Sequence, residues 1–237
     1  NTSRNLYKSR WGNKVLFEEI NHDLNLSFKY EWKSSNDFGF VRTSTVQNIA
    51  DSDVTITILD GIQNILPASV NSDLQVRSSN LLDAYKRSEM VTETGLGIYA
   101  LSAIPVDKAE PSEALKANVV WSTGLKNPTY LVSSLQLDAF RNGASVTAED
   151  DIKGEKGAYF VCTELTLAAG TYESWNLVAN VNQNHAGTIA LNERLKSDPD
   201  ELQHEVDQNV QVGTKKLKNL VAQSDGMQLS ADELKDA

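Results

Sequence analysis

The chain has 237 residues, 40% hydrophobic and 23% charged, with a formal net charge of -10 at pH 7. That length suits one large all-β domain, or a β domain with a short helical appendage. The acidic balance repels polyphosphate and argues against a nucleic-acid partner, and no run reaches the roughly 18 consecutive apolar residues of a membrane span.

From residue 14 to about 184 the sequence reads as strand after strand. Residues 24–32 alternate with period two, which places Leu24, Leu26, Phe28, Tyr30 and Trp32 on one face. Residues 40–46 fit another strand, and residues 54–58 repeat the pattern with β-branched side chains throughout. Asp60 ends that apolar run just before Gly61. It reads either as a turn residue bonding its own backbone or as a carboxylate available to a ligand. Residues 80–85 fit a helical turn or a strand equally well. Further strands are expected at 86–94, 96–104, 115–121, 129–139, 158–167 and 174–182. Asn36-Asp37, Thr94-Gly95, Asn142-Gly143 and Ala169-Gly170 punctuate them. Many short strands with such turns predict a mainly β protein, a large antiparallel sandwich rather than alternating βα units. Residues 142–157, with Glu149, Asp150, Asp151 and Glu155, read as a solvated acidic loop. They lack the ligand spacing and the glycine of an EF-hand.

After residue 185 the period changes. Residues 186–196 read as helix. Asp198-Pro199-Asp200-Glu201 then starts a second one: a cap, a proline at the first helical position, and an acid three residues past the cap. Leu202, Val206 and Val210 follow at spacing four, then Leu217, Leu220 and Val221, with a bend expected near Gly213 and an end at Ser224-Asp225-Gly226. Lys215, Lys216 and Lys218 sit on this helix among acids and read as its solvated face. Ser230-Ala231-Asp232-Glu233 is another capping box, which announces a further helix. The expected organisation is therefore a β-sandwich domain over residues 1–184 and a helical linker over 185–237, truncated in mid-helix and leading to a further domain.

Few residues point to chemistry. The single cysteine, Cys162, lies in an apolar strand and reads as a buried structural thiol. It can form neither an internal disulfide nor a zinc cluster. The three histidines, His22, His185 and His204, come with no Gly-x-Ser-x-Gly elbow and read as structural. Gly95-Leu96-Gly97 precedes a strand rather than a helix, so it is no dinucleotide fingerprint. Glu18 and Glu19 are adjacent and would face opposite sides of a strand. Among the tryptophans, Trp32 and Trp121 read as core, whereas Trp11 precedes the first expected strand and is the better exposed contact. No cofactor and no metal is expected.

Several stretches carry a family resemblance. They are Val15-Leu16-Phe17-Glu18-Glu19-Ile20-Asn21-His22-Asp23-Leu24, Phe38-Gly39-Phe40-Val41-Arg42, Leu59-Asp60-Gly61-Ile62-Gln63-Asn64-Ile65-Leu66-Pro67 and Glu110-Pro111-Ser112-Glu113-Ala114-Leu115-Lys116-Ala117-Asn118. With the helical tail, they resemble the N-terminal region of bacterial proteins related to cellobiose and chitobiose phosphorylases. The resemblance implies a galactose-mutarotase-like β-sandwich, a helical linker, and then an (α/α)6 barrel that carries the catalytic acid. It also implies that the sandwich supports the barrel, serves as an oligomer interface, here a homodimer, and borders the sugar site with its loops. No catalytic residue is carried over. Trp11, Asp60 and Arg42 are the candidate carbohydrate contacts. The expected function is a non-catalytic accessory domain of a glycoside hydrolase or phosphorylase. The alternative is a free-standing sandwich that binds a sugar or epimerises an aldose.

Overall fold

The computed structural model describes residues 1–103 and 115–223. Among them the strands are β1 (Thr2–Lys8), β2 (Val15–Asn21), β3 (Leu26–Ser35), β4 (Gly39–Asn48), β5 (Val54–Ile65), β6 (Lys86–Val91), β7 (Leu96–Leu101), β8 (Lys116–Thr123), β9 (Thr129–Leu131), β10 (Asp151–Lys153), β11 (Gly157–Leu167) and β12 (Tyr172–Asn184). The helices are α1 (Ser72–Arg77), α2 (Ser79–Tyr85), α3 (Leu137–Arg141), α4 (His185–Ser197) and α5 (Pro199–Gln223). One nine-stranded sheet runs β1-β2-β3-β4-β12-β8-β7-β6-β10, and a three-stranded sheet runs β5-β11-β9. Paired neighbours are antiparallel. The fold is the mainly β antiparallel sandwich expected, with a long helix laid on it.

The period-two alternation of β12 explains the layering. Trp175 and Leu177 join Val46, Tyr99, Val120, Tyr159 and Val161 in the core between the sheets. Val178, one residue on, faces the other way and packs with Val41, Val119 and Trp121 against Leu195, Leu202, Val206 and Val210 of the helices. The central strands are thus covered on both faces, at a gain of roughly 2 kcal/mol per fully buried aliphatic side chain. Helix α5 starts as its sequence dictates, with Asp198 Oδ1 accepting from the Glu201 amide at 3.0 Å. It runs through Gly213 as one continuous helix. Asn209 ties it to the β3–β4 turn through Ser35 Oγ at 2.6 Å, and Thr214 ties it to Asn13 at 2.9 Å. In the second half of the helix Leu220 is exposed, while Leu217 and Val221 are half-buried.

Several expectations need correction. Leu24 is exposed in the turn before β3 rather than on its face. There Asn21 Oδ1 accepts from the Asp23 and Leu24 amides, and Asn25 takes φ +52, so the chain turns before the alternation begins. Asp60 does not end a strand; β5 continues to Ile65. Gly61 is present for close approach rather than for a turn, because a Cβ there would lie 2.1 Å from the Tyr159 carbonyl oxygen. The strand expected at 129–139 is only three residues of β9, followed by α3. Residues 80–85 are helical, within α2. The acidic loop is not simply solvated. Glu149 is buried, with Oε2 accepting from the Val132 and Ser133 amides at 2.9 Å and Oε1 from Ser133 Oγ and Gln136. Asp151 enters β10 and pairs with Arg87. The helix end at Ser224-Asp225-Gly226, the capping box at Ser230 and the stretch from Glu110 to Ala114 lie outside the described residues.

Candidate functional site

Two of the three residues singled out as carbohydrate contacts meet inside the sandwich. Arg42 is on β4 of the large sheet and Asp60 on β5 of the small one, and they are only 6% and 7% exposed. Arg42 Nη1 sits between both carboxylate oxygens, 2.7 Å from Oδ1 and 2.8 Å from Oδ2. Ser44 Oγ donates to Oδ2 at 2.7 Å and Trp175 Nε1 at 2.8 Å. A carboxylate offers about four acceptor positions. Three protein donors engage Asp60, all of them on Oδ2, and Arg42 also reaches Oδ1. Asp60 is an electrostatic cross-tie between the two sheets.

The guanidinium carbon of Arg42 also lies over the Tyr30 ring, 4.4 Å from its centroid. Tyr30 begins a row of aromatic rings. Phe17 stacks on it at 4.9 Å with 15° between planes, Phe28 lies 6.1 Å away, and Phe28 in turn meets Trp175 at 6.2 Å. Register explains the row: Phe17 pairs with Tyr30 across β2 and β3, and Trp32 pairs with Val15 on one side and Arg42 on the other. Period two puts Phe28, Tyr30 and Trp32 on the same face as the inter-sheet core. At roughly 4.8 Å per strand, three strands cover about a third of a nine-stranded face. Phe17, Tyr30 and Trp32 accordingly remain half-buried. The result is an aromatic shelf on β2 and β3, bounded by the Arg42–Asp60 pair.

Trp11 lies elsewhere. It is in the β1–β2 turn, half-buried, with Lys218 of α5 over its ring at 5.5 Å. Glu18 and Glu19 do face opposite sides, as adjacent strand residues must. Glu19 accepts from Arg4 at 2.7 Å. Glu18 accepts from Asn5 and Tyr7 and pairs with Lys29 at 3.0 Å. These partners, Asn5 foremost, then Lys29, hold the Glu18 carboxyl below the ordinary glutamate range. No histidine reaches the shelf: His22 bonds Ser3 in a turn, His185 opens α4, and His204 bonds Gln208. Burial raises the Cys162 thiol, which keeps it protonated at neutral pH. Among the described residues no group of side chains is arranged to hold a metal ion, and no helix is long and apolar enough to cross a membrane.

Sequence reasoning named Arg42 and Asp60 but missed Phe17, Tyr30 and Trp175. The alternation of residues 26–32 held the signal for Tyr30. The partnership with Trp175 joins residues 115 apart and has no local signature.

No protein-family model matches the chain, and no curated protein matches it. Solved structures do. A bacterial glucoamylase complexed with acarbose matches at TM-score 0.47 and 8% identity, over 88% of this chain and 27% of that one. A protein described as a kojibiose phosphorylase from the human microbiome matches at 0.43 and 8%, over 92% of this chain and 25% of that one. Heparinase III matches at 0.38 and 12%, over 78% and 22%. The chain spans about a quarter of the length of these structures.

Proposed function

We propose that this chain is a non-catalytic, saccharide-facing β-sandwich domain of a carbohydrate-active protein, with the chemistry carried by a separate (α/α)6 helical domain. The observation that carries the reading is the aromatic shelf of Phe17, Tyr30 and Trp32 beside a buried cation. Flat rings with polar groups at their edge suit the apolar faces and hydroxyl rims of sugar rings. Two of the stretches that resemble the phosphorylase-related proteins, residues 38–42 and 59–67, supply Arg42 and Asp60 and so fix the border of that shelf. The burial of Asp60 and its engagement by Arg42, Ser44 and Trp175 support a binding and supporting role over a catalytic one. Helices α4 and α5, sealed to the outer sheet face, serve as a rigid mount for a neighbouring domain.

The experiment is a titration of the folded chain with oligosaccharides, followed by tryptophan fluorescence. Wild type gives a saturable change, and Trp32→Ala removes it with the unfolding midpoint little altered. An unchanged response in Trp32→Ala moves the binding surface off the shelf and defeats the reading.

A further inference from the structure

The face of the large sheet opposite the aromatic shelf carries a trough of about 410 Å³. Leu16 and Glu18 of β2 and Lys29 and Glu31 of β3 form its floor, and Tyr7, Lys8 and Lys14 its rim. Register explains the floor. Leu16 pairs with Glu31 and with Tyr7, and Glu18 pairs with Lys29, so these side chains share the face that Phe17 and Tyr30 do not. Both carboxylates of the floor are engaged: Glu18 pairs with Lys29 at 3.0 Å and Glu31 with Lys33 at 3.2 Å. Lys8 and Lys14 have no acidic partner among the described residues, in a chain where 32 acids outnumber 22 lysines and arginines.

More cations gather at that rim. Residues 7–17 hold Lys8, Arg10 and Lys14 and no acid. Residues 208–223 of α5 hold Lys215, Lys216 and Lys218 and no acid, because the acids of that helix, Asp200, Glu201, Glu205 and Asp207, all lie in its first half. The fold joins these two acid-free segments. Asn13 donates to Thr214 at 2.9 Å, and the Lys218 ammonium lies 5.5 Å from the centre of the Trp11 ring. Lys215, three residues before Lys218, shares its side of the helix. The helix dipole does not account for these lysines: its effect fades within the last turn, and Lys218 precedes Gln223 by more than one turn. Like charges held together repel, and an anion set among them removes that cost. The chain's net charge of -10 repels a long polyanion outside the cluster, over a screening length of about 8 Å at physiological salt, so a short ligand is favoured. The Tyr7 ring and Leu16 offer its carbon skeleton an apolar surface.

We infer that this trough and its lysine rim bind a short anionic saccharide, one carrying carboxylate or sulfate groups. The anionic half of the inference rests on the charges alone, and the saccharide half rests on the proposed function. The test is amide NMR of the full chain titrated with trigalacturonate, with maltotriose, and with sodium sulfate, each at constant ionic strength. Trigalacturonate should shift the Lys8, Gly12, Asn13 and Lys14 amides saturably. Maltotriose should leave them in place, and sulfate should move them only weakly at equal concentration. Lys8→Gln combined with Lys14→Gln should weaken trigalacturonate about fivefold, the worth of two solvent-screened charge pairs. Lys215→Gln combined with Lys218→Gln, at exposed helix positions, should weaken it in the same way, which preserves the test should the first variant not fold. Trp32→Ala, on the opposite face, should leave these shifts in place, so a shelf that binds no sugar would not by itself remove them. Absence of saturable shifts with trigalacturonate, equally tight binding of sulfate or maltotriose at these amides, or unchanged affinity in the folded lysine variants would each overturn the inference.

Discussion

Replacing Asp60 by alanine should be among the most damaging single changes in the sandwich. It strands Arg42, 6% exposed, without its counter-ion. Breaking a buried pair from one side costs about 3–5 kcal/mol. It also removes the acceptor of the Ser44 hydroxyl, fully buried, and of the Trp175 indole N–H, 1% exposed. Each orphaned donor costs about 1–3 kcal/mol. One carboxylate serves all three donors, so the costs do not add, and a loss of about 4 kcal/mol is expected. Asp60→Asn keeps the volume and one acceptor oxygen and should lose about 2 kcal/mol. Removing both charges, as Arg42→Met with Asp60→Leu, should recover part of the loss of the single variant, because no buried charge is left alone. Urea unfolding followed by both far-UV circular dichroism and tryptophan fluorescence measures each value. A loss under about 1 kcal/mol for Asp60→Ala would refute the reasoning, since that is the worth of a solvent-screened surface pair.

Other expectations follow from the same packing. Gly61→Ala places a methyl 2.1 Å from the Tyr159 carbonyl oxygen and 2.3 Å from the Phe160 ring. The backbone must move, so the variant should melt well below wild type by calorimetry even though alanine suits a strand interior better than glycine. Glu149→Ala leaves the Val132 and Ser133 amides without their acceptor and should cost about 3 kcal/mol, whereas Glu149→Gln retains one oxygen and should cost about half as much, both read from urea midpoints. The lowered folded-state value of Glu18 makes its stabilising effect complete above the unfolded glutamate range and lost as pH falls through that lowered value. Glu18→Gln should therefore lower the urea midpoint at neutral pH and converge on wild type in acid; parallel curves would contradict it.

The legible parts of the fold are those in which local pattern and tertiary environment agree. Residues 26–32 and 54–58 alternate because one face of each strand meets the inter-sheet core. Asp198-Pro199 fixed the start of α5, and Leu202, Val206 and Val210 fixed its buried stripe. Strand β1 was not legible. Its residues are all exposed, and it is a strand only because it pairs with β2 at the sheet's edge. Asp60 misled because an Asp-Gly pair usually turns the chain. Here the aspartate is satisfied by Arg42, Ser44 and Trp175, all remote in sequence, and the glycine clears the backbone of β11. Glu149 misled similarly: an acid in a polar segment reads as solvated until the amides it accepts from are placed. The candidate site was half legible, through Arg42 and Asp60. The shelf beside them depends on how far the smaller sheet reaches, a matter of strand order rather than of local sequence.

The central claim is that the chain engages a saccharide without transforming it. Saturation-transfer NMR on a mixture of a reducing sugar and its oligosaccharides tests both halves in one sample. The account predicts transfer to sugar ring protons that is diminished by Trp32→Ala, with anomer equilibration and linkages unchanged from a protein-free control. Absence of transfer, or accelerated anomer exchange or bond cleavage by the chain itself, would contradict it.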